Sequence, residues 1–269
     1  MRQSVLIYEA MGPALPPSAA SFGVFFYEAT RYLKALGLTR LLHPVAREMI
    51  VFDVDGTLLG GEQHDWKSFD DAFEEAAGFP FPPDFFTNIS EVTAEAIVRQ
   101  ALVDVPQADK TRIIDETRRG YLARNQAAHE ATGEAFARTH GVDELWKELR
   151  DRKMPFAIAT GDWHETISYK LSAAGIDVQG VPMATSSDCY ARADIIRTAV
   201  ERAGGELSAS VYVGDGVWDL RATQLLGIPF IGCGSRPDDL RAAGATHVLD
   251  DLHPERFWPA YTELAALRR

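Results

Sequence analysis

A short apolar stretch that ends in two aspartates constrains the fold of this chain more than any other feature. Residues 50–59 read Ile-Val-Phe-Asp-Val-Asp-Gly-Thr-Leu-Leu, so an apolar run stops at Asp53 and Asp55. A short, almost wholly apolar run is typical of a buried strand in a parallel sheet. In open α/β sheets, ligands bind just beyond the carboxyl ends of such strands. Asp53 and Asp55 are therefore predicted to lie where a ligand binds.

The spacing of the two aspartates directs both side chains to one side of the strand. Gly56, which follows them, lets the backbone turn tightly and come close to a ligand. Neighbouring carboxylates repel each other, and a hard divalent cation such as Mg²⁺ relieves that repulsion while bridging to a phosphate. The plainer interpretation is a turn that closes the strand and leaves Asp53 and Asp55 solvated, since short motifs occur without a function.

Two further apolar runs also stop at hydroxyl, glycine or acidic residues, which favours the functional interpretation. The residues that follow them are Thr160 and Gly161 after residues 155–159, and Asp215 and then Asp219 after residues 210–213. Arg192 begins a helical pattern between these runs, and its planar guanidinium can donate two hydrogen bonds to phosphate oxygens. Three strands thus end in polar, glycine-rich turns.

In this order, the residues resemble the four sequence motifs of the haloacid dehalogenase superfamily of phosphohydrolases. The matching residues are Asp53 and Asp55, then Thr160, then Arg192, and last Asp215 with Asp219. The first and fourth motifs are the specific ones, and Arg192 stands where the family more usually has lysine. The resemblance is to the phosphoglycolate phosphatase-like branch. It implies an α/β fold with a doubly wound, Rossmann-like parallel sheet and an inserted helical cap domain.

The resemblance also implies a role for each motif residue. Asp53 is expected to attack phosphorus, and Asp55 to protonate the leaving oxygen. The phosphate-binding residues are expected to be Thr160, Gly161 and Arg192. The residues expected to hold Mg²⁺ are Asp53, Asp55 through its backbone carbonyl, Asp215 and Asp219, the last as a ligand or as an orienting residue. Dehalogenases and phosphonate-cleaving relatives lack the second acid of the first motif, so Asp55 favours phosphate-ester chemistry.

The domain organisation follows from where the motifs fall. The catalytic core is predicted to comprise residues 49–60 and 141–269, and residues 61–140, which have helical periodicity, are predicted to form the cap. Residues 1–48 form an N-terminal extension with an apolar stripe at helical spacing, which is typical of an amphipathic helix. Met49 stands directly before the first strand, so this extension is either a true appendage or the product of a misassigned start.

Composition limits the partners and the location. The chain has 269 residues, 46% of them hydrophobic, and a formal net charge of −12, which opposes binding along nucleic acid or an anionic membrane. No apolar segment approaches the roughly 18 residues of a membrane span, and the first residues lack the features of a secretion signal. Cys189 and Cys233 have no metal-ligand spacing and are predicted to be reduced. We therefore expect a cytoplasmic monomer or homodimer with a small phosphorylated substrate.

Several residues beside the motifs are candidates for the substrate entrance. Trp163, His164 and Trp218 could all line it, although Trp218 could equally pack in the core, and His164 could act in catalysis or simply begin a helix. Residues 64–66, His-Asp-Trp, follow the first motif where the chain enters the predicted cap. Cap side chains of this kind would select the substrate while the cap excludes water.

The most specific function that the sequence predicts is a Mg²⁺-dependent phosphatase that forms an aspartyl-phosphate intermediate. A phosphomutase of the β-phosphoglucomutase type shares every motif and differs only in protecting that intermediate from water. A third alternative is a binding module that holds a phosphorylated ligand without turnover. The intact acids argue against the binding module, and the sequence leaves the substrate undefined.

Overall fold

The computed structural model of this protein describes residues 48–60, 62–132 and 136–266. A six-stranded parallel sheet carries the fold. Its strands are β1 (Met49–Phe52), β2 (Phe156–Ala159), β3 (Met183–Ala184), β4 (Ser210–Gly214), β5 (Phe230–Cys233) and β6 (Val248–Leu249). They lie in the order β3-β2-β1-β4-β5-β6, and all neighbours run parallel. This is the strand order of a doubly wound, Rossmann-like sheet, so the predicted fold class is confirmed.

Helices cover both faces of the sheet. They are α5 (Val142–Asp151), α6 (His164–Ala173), α7 (Arg192–Arg202), α8 (Val217–Leu226), α9 (Pro237–Ala242) and α10 (Pro254–Ala266). Alternation along β1 directs Ile50 and Phe52 to the apolar layer that contains α5, α6 and α10, and Met49 and Val51 to the layer that contains α7, α8 and α9. All four side chains are fully buried, and burial of each stabilises the fold by about 1.5–3 kcal/mol.

Four helices follow β1 in the chain and precede α5, and we call them the insertion. They are α1 (Glu62–Ala77), α2 (Phe85–Asn88), α3 (Ala94–Ala101) and α4 (Gln107–Thr132). The insertion has its own apolar core, which includes Phe69, Phe73, Ile97 and Tyr121. Aromatic rings dominate this core, and Phe73 and Phe81 stack with ring centroids 3.9 Å apart. The predicted boundaries between extension, core and cap remain predictions.

The structure differs from the sequence-based elements in a few places. The apolar pattern of the sequence predicts a strand over residues 178–183, but β3 contains only Met183–Ala184. Gly180 has a positive φ of 73°, and the amide of Val181 donates to the carbonyl of Val178 at 3.0 Å, so residues 178–181 turn instead of pairing. Pro182 accepts a hydrogen bond from the amide of Ile158 in β2 at 2.9 Å but has no amide hydrogen to donate. The predicted amphipathic helix of the N-terminal extension lies outside the described residues. None of the helices in the described ranges combines the length and apolarity that crossing a membrane requires.

Candidate active site

The carboxyl ends of β1, β2 and β4 meet at one edge of the sheet, at the point where strand order reverses. Asp53 directly follows β1, and its amide donates a hydrogen bond to the carbonyl of Val213 in β4 at 2.9 Å. Thr160 directly follows β2, and its amide donates to the carbonyl of Ala184 at 3.1 Å. Gly56 adopts a positive φ of 78°, which provides the tight turn that the sequence predicted after the aspartates. Asp53, Thr160 and Asp215 therefore follow the ends of three adjacent strands.

Asp53, Asp215 and Asp219 form an acid cluster at this edge. Each offers a carboxylate oxygen, these oxygens lie within 4.8 Å of one another, and all three residues are buried. Among the described residues, Asp53 Oδ1 has no hydrogen-bond partner. Burial raises the pKa of Asp53 to about 7, and the neighbouring Asp219 raises it too, while Arg192 opposes the change. A buried carboxylate oxygen that faces two more acids fits a hard cation, so the residues present suit Mg²⁺.

Arg192 joins this acid cluster to the insertion. Its side chain is 8% exposed, and Nη1 lies 2.9 Å from Asp219 Oδ1 and 3.5 Å from Asp53 Oδ1. Its other terminal nitrogen, Nη2, donates to the backbone carbonyl of Val92 in the insertion at 2.8 Å. Burial alone would lower the pKa of Arg192, but Asp219 and Asp53 raise it above its usual value. The two terminal nitrogens of one planar guanidinium thus link the core to the insertion.

Gly161 leaves the space that Arg192 occupies. A Cβ atom at this position would lie 2.2 Å from Arg192 Nη2 and 3.2 Å from the carbonyl oxygen of Val92. The carbonyl of Gly161 also accepts a hydrogen bond from the amide of Ala94 at 2.7 Å. The structure therefore brings Thr160, Gly161 and Arg192 together, as their assignment to a phosphate site requires, but it does not test that assignment.

Asp219 is fully buried and engaged by protein donors. Its carboxylate accepts hydrogen bonds from Arg192 Nη1 at 2.9 Å, the hydroxyl of Tyr212 at 3.2 Å and the amide of Gly216 at 3.1 Å. Burial raises its pKa, and Arg192 is the main opposing influence. These contacts fix the Asp219 carboxylate within the acid cluster and let it orient Arg192.

Asp55 faces a different set of groups from Asp53. Its carboxylate accepts a hydrogen bond from Lys170 Nζ at 3.1 Å, and 30% of its side chain is exposed. Burial raises the pKa of Asp55 well above its usual range, Lys170 opposes that change, and Asp65 and Asp162 reinforce it. An acid whose pKa is raised holds a proton more readily, which is the state a general acid requires.

A cavity between the sheet edge and the insertion contains both aspartates of the first motif. Its wall on the insertion side is mostly apolar or aromatic and includes Trp66, Phe69, Ile97 and Tyr121. On the core side it is lined by residues that include Trp218 and Arg236. The guanidinium carbon of Arg236 lies 5.4 Å from the centre of the Trp218 ring. The cavity therefore has one polar end, at the aspartates, and one wall suited to apolar surface.

The structure places the other candidates in different surroundings. Trp218, Asp65 and Trp66 line the cavity. Trp163 is fully buried, and its ring nitrogen donates to Glu95 Oε2 at 3.0 Å, so its expected place at the entrance is wrong. His164 is exposed and is the first residue of α6.

Sequence reasoning missed Lys170, Asp162 and Tyr121, which lie beside Asp55. The signal that could have found Lys170 is its position in α6, three residues after Ile167 and next to Leu171, both of which are fully buried. A charged residue on the apolar side of a helix requires a buried partner.

The sequence profile of the haloacid dehalogenase-like hydrolases matches residues 50–233, which is more than half of the chain. The chain therefore belongs to the haloacid dehalogenase-like hydrolase family. No curated protein matches it in sequence.

Several solved structures share the fold. β-Phosphoglucomutase from Clostridium difficile superposes with a TM-score of 0.66 at 15% identity, over 83% of this chain and 100% of that chain. A hydrolase from Pseudomonas syringae gives 0.64 at 18% identity, over 81% and 100%. A protein described as a predicted phosphoglycolate phosphatase from Haemophilus somnus gives 0.58 at 15% identity, over 77% and 95%. At these identities the similarity shows a common fold and does not identify a substrate.

Proposed function

We propose that this protein is a Mg²⁺-dependent phosphatase that removes phosphate from a small phosphorylated metabolite. One observation carries the proposal. A buried carboxylate oxygen of Asp53 has no hydrogen-bond partner among the described residues, and it lies beside two more buried acids and one arginine. An anionic nucleophile, a cation site and a guanidinium that converge on one point are the parts that phosphoryl transfer requires.

Each side chain would have a distinct task in the reaction. An oxygen of Asp53 would form a bond to phosphorus as the ester P–O bond breaks, and the proton of Asp55 would pass to the departing oxygen. Asp55 would then accept a proton from the water that attacks the aspartyl-phosphate and releases inorganic phosphate. Thr160 and Arg192 would bind the phosphate oxygens.

The cation would be held by Asp53, Asp215 and the backbone carbonyl of Asp55, with Asp219 either a further ligand or the residue that orients Arg192 beside it. Mg²⁺, when bound, would neutralise charge on the phosphate. The insertion would serve as a cap that excludes water from the cavity.

The cavity wall favours a phosphatase over a mutase. A phosphomutase has to hold a bisphosphate, whose second phosphate lies away from Asp53 and requires cationic partners of its own. Among the described residues that line the cavity, those from the insertion include neither lysine nor arginine, and Asp65 adds a negative charge, so Arg236 on the core side is the only lining cation besides Arg192. The aromatic side chains Trp66 and Phe69 instead suit a leaving group with apolar surface.

Release of inorganic phosphate from simple esters tests this proposal. With Mg²⁺ and no bisphosphate present, we expect multiple turnovers, with benzyl phosphate a better substrate than glucose phosphate. The measurement is phosphate released per enzyme across a panel of phosphorylated sugars, acids, nucleotides and aromatic alcohols. Isomerisation that depends on a sugar bisphosphate would instead identify a mutase. Binding of inorganic phosphate without turnover of any ester would identify a binding module.

Replacing Arg192 by lysine separates its charge from its shape. Lysine retains a positive charge near Asp53 and Asp219 but cannot also reach the Val92 carbonyl with a second, fixed nitrogen. A hydrogen bond that involves a charged group contributes about 1.5–3 kcal/mol, so Arg192→Lys is expected to lower kcat/KM ~10- to 100-fold. Arg197→Lys, a change at a half-exposed position of the same helix, serves as the control and is expected to leave kcat/KM unchanged. Wild-type kcat/KM in Arg192→Lys would contradict a role for the arginine fork.

A further inference from the structure

A buried lysine lies behind the cavity, at the junction of the core and the insertion. Lys170 belongs to α6, and its side chain is 1% exposed. Its ammonium contacts three carboxylates and a hydroxyl, which together form what we call the lysine cluster. The distances from Nζ are 3.1 Å to Asp55 Oδ1, 2.5 Å to Asp65 Oδ1, 3.0 Å to Asp162 Oδ2 and 2.8 Å to Tyr121 OH.

The lysine cluster spans two parts of the fold. Asp55, Asp162 and Lys170 belong to the core, whereas Asp65 and Tyr121 belong to α1 and α4 of the insertion. The hydroxyl of Tyr121 also donates to Asp65 Oδ1 at 2.6 Å, so the two insertion residues bind each other as well as the lysine. Lys170 can make all of these contacts only when the insertion lies against the core. The orientation of Asp55 is thereby linked to the position of the insertion.

The lysine cluster is separate from the acid cluster. Arg192 is the cation beside Asp53 and Asp219, whereas the described ion pairs of Lys170 are with Asp55, Asp65 and Asp162. Lys170 is therefore placed beside the residue that would protonate the leaving group and not beside the nucleophile. Because it lies behind Asp55 and is almost wholly buried, it would act through Asp55 and not on the substrate directly.

The surroundings of Lys170 exclude a role as an amine nucleophile. A lysine that attacks a carbonyl group needs a neutral amine, which a nonpolar or cationic environment provides. Here burial alone would favour the neutral amine, but Asp162, Asp55 and Asp65 keep the ammonium charged. Stability does not explain the lysine either, because buried ion pairs are often no more stabilising than well-packed apolar residues.

We propose that Lys170 is a positioning residue that holds the Asp55 carboxyl group in place for proton donation when the insertion is against the core. The proposal rests on the phosphatase function proposed above. In the step concerned, the bond between Asp53 and phosphorus forms, the ester P–O bond breaks, and the proton of Asp55 passes to the departing oxygen. Lys170 keeps its own protons throughout and fixes the donor.

Two aromatic esters of similar size test this role. Benzyl phosphate leaves as an alkoxide that requires a proton, whereas para-nitrophenyl phosphate leaves as a stabilised phenolate that does not. We expect Lys170→Met to lower kcat/KM for benzyl phosphate on the order of 100-fold, and kcat/KM for the nitrophenyl ester by less than about threefold, because general-acid catalysis contributes 10²- to 10⁴-fold. The comparison uses kcat/KM because that constant excludes the later hydrolysis of the aspartyl-phosphate, which both esters share. Lys170→Arg, which keeps the charge, is expected to recover part of the loss. Lys147→Met, a change at an exposed lysine, should alter neither rate.

Equal losses on the two esters would overturn the proposal, because they would indicate a general structural defect. Combination with Asp55→Asn sharpens the test. If the lysine acts through Asp55, Lys170→Met should change the ratio of the two rates no further in the Asp55→Asn background. An additional loss of the benzyl ester relative to the nitrophenyl ester in that background would overturn the proposed route.

Removal of the ammonium leaves three carboxylates without a counter-charge, so milder variants provide a second test that does not depend on the folding of Lys170→Met. Tyr121→Phe and Asp65→Asn each alter one contact of Lys170 from the insertion side. Each is expected to lower the ratio of kcat/KM for the benzyl ester to kcat/KM for the nitrophenyl ester about three- to tenfold, and an unchanged ratio in both would overturn the proposal. Wild-type enzyme that releases phosphate from no ester of the panel, these two included, would overturn the phosphatase function itself, which distinguishes the two failures.

Discussion

Asp53→Asn is expected to abolish turnover of every ester that the wild-type protein hydrolyses. The amide cannot serve as the nucleophile that divides one difficult displacement into two easier ones, so we expect a loss on the order of 10³-fold or more. The measurement is phosphate release at saturating Mg²⁺, together with detection of covalently bound phosphate after rapid acid quenching of the wild-type enzyme. The quenched Asp53→Asn protein should carry none.

The thermal stability of Asp53→Asn shows whether its loss of activity reflects lost catalysis or lost folding. Burial and Asp219 raise the pKa of Asp53 to about 7, so the cation-free fold binds the proton of Asp53 more tightly than the unfolded chain. The contribution of Asp53 to stability is therefore greatest at acid pH and is lost as the pH rises toward 7. A neutral amide avoids that loss, and the Tm of Asp53→Asn at neutral pH is expected to equal or exceed the wild-type Tm. Asp70→Asn, at an exposed position of α1, is the matched control and should retain full activity. Substantial turnover by folded Asp53→Asn protein would remove Asp53 from the role of nucleophile.

The sequence could predict the convergence of Asp53, Thr160 and Asp215 because the relevant rules are local and topological. Short apolar runs that alternate with helical patterns favour a parallel sheet, and the strand ends of a parallel sheet lie along one edge. The residue that follows each run is then placed in space by the topology alone. The sequence pattern likewise predicts helices over residues 143–152, 164–174, 192–203 and 217–226. Helices α5 to α8 agree with these ranges to within about a residue, which is the usual uncertainty of helix ends.

The lysine cluster could not be predicted in the same way. Lys170 is visible in the sequence as a charge beside apolar helix residues, but its partners Asp65 and Tyr121 lie in the insertion. Their approach depends on how helices α1 and α4 pack against the core, and no local pattern encodes that packing. Trp163 illustrates the same limit, because its proximity to Thr160 in sequence does not reveal that its ring turns toward Glu95.

The aromatic character of the cavity wall was partly visible in the sequence. Trp66 follows the first motif closely, and it was a candidate for substrate contact on that ground. Phe69 and Ile97 belong to helical stripes that predict an apolar core. In the structure they pack in the apolar core of the insertion and also line the cavity. A periodic pattern identifies the apolar face of a helix but not the part of that face that remains open to a ligand.

Removal of divalent cations is expected to stop the reaction, and Mg²⁺ is expected to restore it. A bound cation contributes several kcal/mol of charge stabilisation in the transition state, and each 1.4 kcal/mol corresponds to a factor of ten, so the expected loss is ~10²- to 10³-fold. The measurement is phosphate release after dialysis against a chelator, followed by titration with Mg²⁺. Full activity in excess chelator would remove the cation from the proposed mechanism.

Thermal stability provides a test of the cation site that does not depend on turnover. A ligand that binds only the folded state raises the Tm with its concentration, so Mg²⁺ should raise the Tm of the wild-type protein. This rise in Tm should be larger than the rise caused by a cation at an exposed surface site, because the cation relieves the repulsion among three buried acids. One oxygen of Asp53 in this cluster has no hydrogen-bond partner among the described residues. Asp215→Asn removes one of the three buried acids and is expected to abolish most of the Mg²⁺-dependent shift, whereas Asp70→Asn should retain it. An undiminished shift in Asp215→Asn would mean that the cation binds elsewhere, and the acid cluster would then need another explanation.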